Sequence, residues 1–122
     1  MSKTARSVFT FGIYLLLTGA TLVLVPNLLL RTFMLAETHE VWVRVVGTLA
    51  LLLGFYYVQM SRMESAEFFR LSVYTRASVV VFFTAFVLLG LVGAPLIAFG
   101  VVDLAGALWT WSSLRQEGKW SL

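Results

Sequence analysis

Cysteine is absent from this 122-residue chain, histidine occurs once, and charged residues make up only 12% of it. Each shortage excludes a class of chemistry. Without cysteine there is no disulfide framework, no thiolate-held iron–sulfur cluster and no redox-active dithiol. His39 alone cannot supply two axial ligands to a haem. Lys3 and Lys119 lie near the chain ends, outside every apolar run, so no lysine is placed for a retinal-type Schiff base within a membrane. The low charge accompanies 60% hydrophobic residues and a mean hydropathy of +0.91, whereas soluble domains carry roughly 25% charged residues. The solvent that suits such a chain is a bilayer.

What is present is four apolar runs, at 8–25, 41–60, 72–91 and 95–114, in one domain spanning 1–122. About 20 helical residues rising 1.5 Å each cross a hydrocarbon core of about 30 Å. The runs are rich in Leu, Phe and Met and lack an alternating polar pattern, which excludes a barrel and leaves helices as the structures that satisfy their own backbone in lipid. The predicted fold is all-α, an integral membrane four-helix bundle. The first run follows Lys3 and Arg6 and contains Thr18-Gly19-Ala20, but its apolar character continues through Val25. It is read as an uncleaved span and not as a signal peptide.

Lys and Arg concentrate on the cytoplasmic side of short membrane loops. Of the nine, Lys3, Arg6, Arg62, Arg70, Arg76, Arg115 and Lys119 fall on the side of the termini, and Arg31 and Arg44 on the other. Both termini are therefore expected in the cytoplasm, with the chain in the plasma membrane. The aromatic residues agree, with Tyr56, Tyr57, Tyr74, Trp109, Trp111 and Trp120 near one boundary and Trp42 at the other. A net charge of +3 divided between two rims excludes a nucleic-acid surface.

The segment 28–36 carries Leu28, Leu29, Leu30, Phe33, Met34 and Leu35 around Arg31 and is predicted to form an interfacial helix on the outer leaflet. Glu37, His39 and Glu40 follow, a spacing that also describes a solvated lead-in to a helix, so no metal site and no cofactor is expected. Thr38 is placed to cap the second span.

Small residues recur every two turns: Ala5, Gly12 and Gly19; Gly47 and Gly54; Gly93, Gly100 and Ala107. Helices in lipid associate by close backbone approach at such positions. Gly12, Gly19, Gly47, Gly54, Gly100, Gly106 and Ala107 are the expected packing residues. In the fourth span, Gly100, Asp103, Gly106, Ala107 and Thr110 fall within about a third of the helix circumference. Asp103 then faces protein near the membrane midplane, about 13 Å from the outer end at 1.5 Å per residue. An intramembrane carboxylate is a functional-site hypothesis whose partner must be named. Arg44 faces the bundle about one turn below the outer surface, so Asp103, Thr110 and Arg44 form the candidate ligand or proton site, a direct Arg44–Asp103 pair needing a long rotamer or a bridging water. Arg31 and Arg76 are read as headgroup contacts, Arg76 snorkelling inward from the start of the third span.

Arg44-Val45-Val46-Gly47, the later Leu53-Gly54, and Tyr74-Thr75-Arg76-Ala77-Ser78 give the second and third spans a pattern that resembles the DoxX-like group of small bacterial membrane proteins. That resemblance implies a four-span bundle and a role as an accessory subunit of a membrane oxidoreductase or other assembly; Asp103 has no counterpart in its pattern. No nucleophile stands beside a base, and no phosphate loop is present. The chain is therefore expected to be no enzyme but an accessory or scaffold protein, in a larger membrane complex or a homo-oligomer. One alternative is a binder of a quinone, sterol or lipid using Asp103; another is a proton-coupled small carrier.

Overall fold

The computed structural model describes residues 1–120: α1 (Lys3–Leu24), α2 (Pro26–Thr32), α3 (Val41–Arg62), α4 (Ala66–Leu88) and α5 (Ile97–Gln116), the last entered through a 3-10 turn at Ala94–Leu96. Among the described residues there is no strand. Helices α1, α3, α4 and α5 with its leading turn are long and apolar enough to cross a membrane.

The helix limits follow backbone capping, not the edges of the apolar runs. Ser2 caps α1, its hydroxyl accepting the Ala5 N–H at 3.0 Å, and Ser65 caps α4 by accepting the Phe68 N–H at 3.4 Å. The third span therefore starts at Ala66, six residues before the predicted 72, and carries Glu67 and Arg70 on its first turns. It ends where Gly90 adopts φ +75°, so that the Gly90 and Leu91 N–H groups reach back to Val87 and Phe86 at 3.0 Å. The same left-handed ending recurs at Met34 (φ 56°) and Glu64 (φ 53°), where a side chain makes that geometry cost roughly 1–2 kcal/mol.

The connection before α3 differs from expectation. Pro26 starts α2 earlier and the helix stops at Thr32, because proline is preorganised for the first helical position. Thr38 does not cap α3; Glu40 holds the cap position without a side-chain bond, and Thr38 instead accepts the Glu40 N–H at 3.1 Å. The segment is also not simply laid on the outside, since Phe33 stacks on Phe99 of α5 at 4.3 Å between ring centroids.

Helix α1 is central, packing along α3 on one side and α5 on the other, while α4 packs along α5. The α1–α3 seam is made by glycine. A Cβ at Gly19 would lie 2.7 Å from the Gly47 carbonyl oxygen and the Leu51 nitrogen, and one at Gly54 would lie 3.0 Å from the Gly12 carbonyl oxygen. Gly100 closes the α4–α5 seam, its Cβ position 2.8 Å from Val80 Cα. All these contacts are within one chain. The buried apolar residues Ala5, Val8, Phe11, Tyr57, Phe69, Val73, Ala107 and Leu114 gather in the half nearer the helix ends that carry the termini. The other half is less filled.

Candidate functional site

The third span's early start moves Arg76 away from the helix end. It sits ten residues beyond Ala66, about 15 Å along α4 at 1.5 Å per residue. There it is only 2% exposed, so the expected headgroup contact is overturned. Its side chain does lean back toward the helix N-terminus, as helical side chains do, but hydroxyl groups hold it inside. Nε donates to the Ser72 carbonyl at 3.2 Å, and Nη2 donates to Ser72 Oγ at 3.0 Å and to Thr110 Oγ1 at 2.8 Å. The guanidinium carbon lies 4.8 Å from the Phe11 ring centroid and 5.6 Å from that of Tyr57, a cation–π environment on two sides. Nη1 has no hydrogen-bond partner.

The hydroxyl chain continues toward the terminal end of the bundle. Thr110 and Ser7 share a hydrogen bond of 2.7 Å, and Ser7 Oγ donates to the Thr4 carbonyl at 2.7 Å. Because Ser7 spends its proton on that carbonyl, Thr110 is the donor to Ser7, and both Thr110 and Ser72 turn oxygen toward the cation. The chain is a cradle for positive charge. It is not a proton wire, since a backbone carbonyl cannot pass a proton onward.

Beyond the cradle, two carboxylates sit on the first turn of α1. Glu64 accepts the Ser2 N–H at 2.8 Å and the Ser2 hydroxyl at 2.7 Å. Glu117 accepts the Thr4 N–H at 3.2 Å and the Thr4 hydroxyl. Both favour the free amides at a helix N-terminus. The Ser2 N–H and hydroxyl hold the Glu64 carboxyl below its ordinary 4.5, and the Thr4 hydroxyl does the same for Glu117. A depressed carboxyl pKa contributes stability above the unfolded value that is lost as pH falls through the folded one. Thermal unfolding in mild detergent should therefore show a midpoint that declines as pH drops below 4.5. A Glu64→Gln, Glu117→Gln double variant should flatten that decline; an unchanged slope would remove the two contacts from the acid response.

Asp103 lies elsewhere. Three residues before Gly106 on α5, it lines a half-open cavity of about 280 Å³ between α1, α3, α4, α5 and the segment around α2. Tyr14 and Thr18 are its other polar walls, and Leu22, Leu30, Val46, Phe83 and Phe99 are among the apolar ones. Leu29, Leu30 and Leu35 line the cavity from that segment. Among the described residues the ion pair is Arg31 with Glu37, at 3.1 Å, and Asp103 has neither arginine within 4 Å.

The three residues proposed from sequence as one site are therefore separated. Arg44 donates through Nη1 to the Val23 carbonyl, one of the last carbonyls of α1. It lines a different cavity, of about 530 Å³, with Arg31, His39 and Glu40 at the far end of the bundle. That larger space is at a mouth where a polar lining is ordinary. Thr110 belongs to Arg76, and Asp103 alone faces the apolar cavity. Sequence reading missed Ser7, Ser72, Tyr57 and the burial of Arg76. The available signal was the four-residue spacing of Ser72 and Arg76, which puts a hydroxyl on the guanidinium's own helix face.

A scan against protein families, a search of curated proteins and a search of solved structures each return no match for this chain.

Proposed function

We propose that this chain is a non-catalytic integral membrane protein that binds an apolar ligand in the cavity beside Asp103. The observation that carries this reading is the cavity itself, about 280 Å³ of mostly apolar wall with one carboxyl group in it. Such a composition is that of a ligand pocket, in which a few polar groups orient an apolar guest. Asp103, Tyr14 and Thr18 are the polar groups of this lining, few enough to orient a guest within walls that are otherwise apolar.

An accessory or scaffold role in a larger membrane complex or a homo-oligomer stands as the second reading; the glycine stripes close seams within the chain, between α1 and α3 and between α4 and α5. A DoxX-like relationship remains part of the proposal as a four-span layout. So does an orientation with both termini cytoplasmic in a bacterial inner membrane: with Arg76 withdrawn into the core, Lys3, Arg6, Arg62, Arg70, Arg115 and Lys119 still mark the terminal rim.

The test is native mass spectrometry of the gently extracted full chain and of Ala50→Trp, whose indole would occupy the cavity that Ala50 lines. The wild type should carry one apolar molecule per chain and the variant none. An identical adduct on both proteins would remove the cavity from the explanation. Stoichiometric larger subunits without an adduct would restore the accessory role.

A further inference from the structure

Resting on that reading, we infer that the guest is a neutral amphiphile whose polar end is a hydroxyl group, and that Arg76 sets this choice without touching it. The geometry on α5 supplies the reason. A Cβ built on Gly106 would lie 3.2 Å from Arg76 Nη1, so the guanidinium lies against the helix face at Gly106. Asp103 is one turn further along the same helix, about 4.5 Å of axial rise. The cation and the carboxyl group are therefore neighbours across a gap too wide for an ion pair, which would need 4 Å or less.

Arg76 is 2% exposed and its contacts are hydroxyls, a carbonyl and two aromatic rings, none of which carries a negative charge. Its charge is left for Asp103 to balance. This excludes the ligand that a lone carboxylate in an apolar cavity would otherwise select. An ammonium head would have to shed its hydration against an anion that already has a cation beside it. An anionic head would meet Asp103 as the cavity's own acid, while Arg76 does not line that cavity. A hydroxyl meets neither obstacle. It donates to a carboxylate and can equally pair with a carboxylic acid, whereas a ketone or quinone carbonyl only accepts and gains nothing from an ionised Asp103, leaving it the Tyr14 and Thr18 hydroxyls alone. The apolar walls from Leu22, Leu30, Val46, Phe83 and Phe99 then take the chain or ring system behind it.

The experiment uses the full chain in phosphatidylcholine nanodiscs and a decanol analogue bearing a diazirine, with the labelled peptides located by mass spectrometry. Decanol, decylamine and decanoate compete for the label, so the tail is constant and the head alone varies. Label is expected on the peptides around Tyr14–Leu22 and Phe99–Asp103, displaced by decanol at a concentration at least about tenfold below that needed for either charged probe, a difference of about 1.4 kcal/mol. Asp103→Leu should abolish the preference for decanol. Arg76→Gln should move decylamine ahead by removing the balancing cation. If that variant does not fold, the wild-type order and Asp103→Leu decide the matter. Decylamine or decanoate competing as well as decanol in the wild type would overturn the inference while leaving a ligand cavity in place. Specific label nowhere in the cavity would overturn the ligand reading itself, and this inference with it.

Discussion

Gly19→Ala should destabilise the protein by about 1–3 kcal/mol, although alanine is the better helix former by about 1 kcal/mol. The added methyl would sit 2.7 Å from both the Gly47 carbonyl oxygen and the Leu51 nitrogen. Those are backbone atoms of α3, so no rotamer change relieves the clash and the helices must part. Parting them spoils the contacts above and below, including Gly12 against Tyr57 and Val58. Gly47→Ala should act similarly, because its Cβ would lie 2.7 Å from Leu22 Cβ and 2.9 Å from the Gly19 carbonyl oxygen. The two substitutions should not add: once one has opened the seam, the second finds the space already made. Gly93→Ala is the control, since only Pro95 Cδ, at 3.5 Å, lies near its Cβ position. Equilibrium unfolding in mixed micelles measures the wild type, the three single variants and the Gly19→Ala, Gly47→Ala double variant. A stability for Gly19→Ala equal to that of Gly93→Ala would mean that the α1–α3 seam is not closed at Gly19.

The seam was legible in the sequence for a simple reason. Seven residues are two helical turns, so Gly12 with Gly19 and Gly47 with Gly54 each define a line without knowledge of a partner. The four long helices were legible from apolar length alone. Arg76 was not, because its fate depends on how far α4 extends past the apolar run and on which hydroxyls other helices bring to it. Ser7 and Thr110 lie 103 residues apart in sequence, and no local pattern joins them. Asp103 was recognisable as unusual, yet its expected partner Arg44 proved to be engaged with the end of α1. Charge counting identifies the few cations that could pair with a membrane acid. It does not reveal that hydroxyls and aromatic rings can hold one of them in the core.

Thr110→Val provides the sharpest test of that arrangement, with an expected loss of about 2–3 kcal/mol. Valine keeps the shape of threonine and removes the oxygen that Arg76 Nη2 meets at 2.8 Å and Ser7 at 2.7 Å. A hydrogen bond to a charged group is worth about 1.5–3 kcal/mol, and the loss is greatest where the orphaned partner stays buried. Thr110→Ser retains the hydroxyl and should cost no more than about 1 kcal/mol for the missing methyl. Ser7→Ala should fall between them, and its combination with Thr110→Val should cost less than the sum because both act on one bond. Equal damage from serine and valine would make the methyl, and not the hydroxyl, the important group. A second readout follows from the position of Asp103. Freed from Thr110, the guanidinium has the carboxyl group one turn along α5 as its nearest alternative, and pairing with it would withdraw the cavity's polar group from a ligand. Thr110→Val should therefore weaken the decanol probe as well as the fold, although Thr110 does not line the cavity. Loss of stability with unchanged labelling would separate the hydroxyl cradle from the binding site; loss of both would show that holding Arg76 away from Asp103 is what keeps the cavity's carboxyl group available.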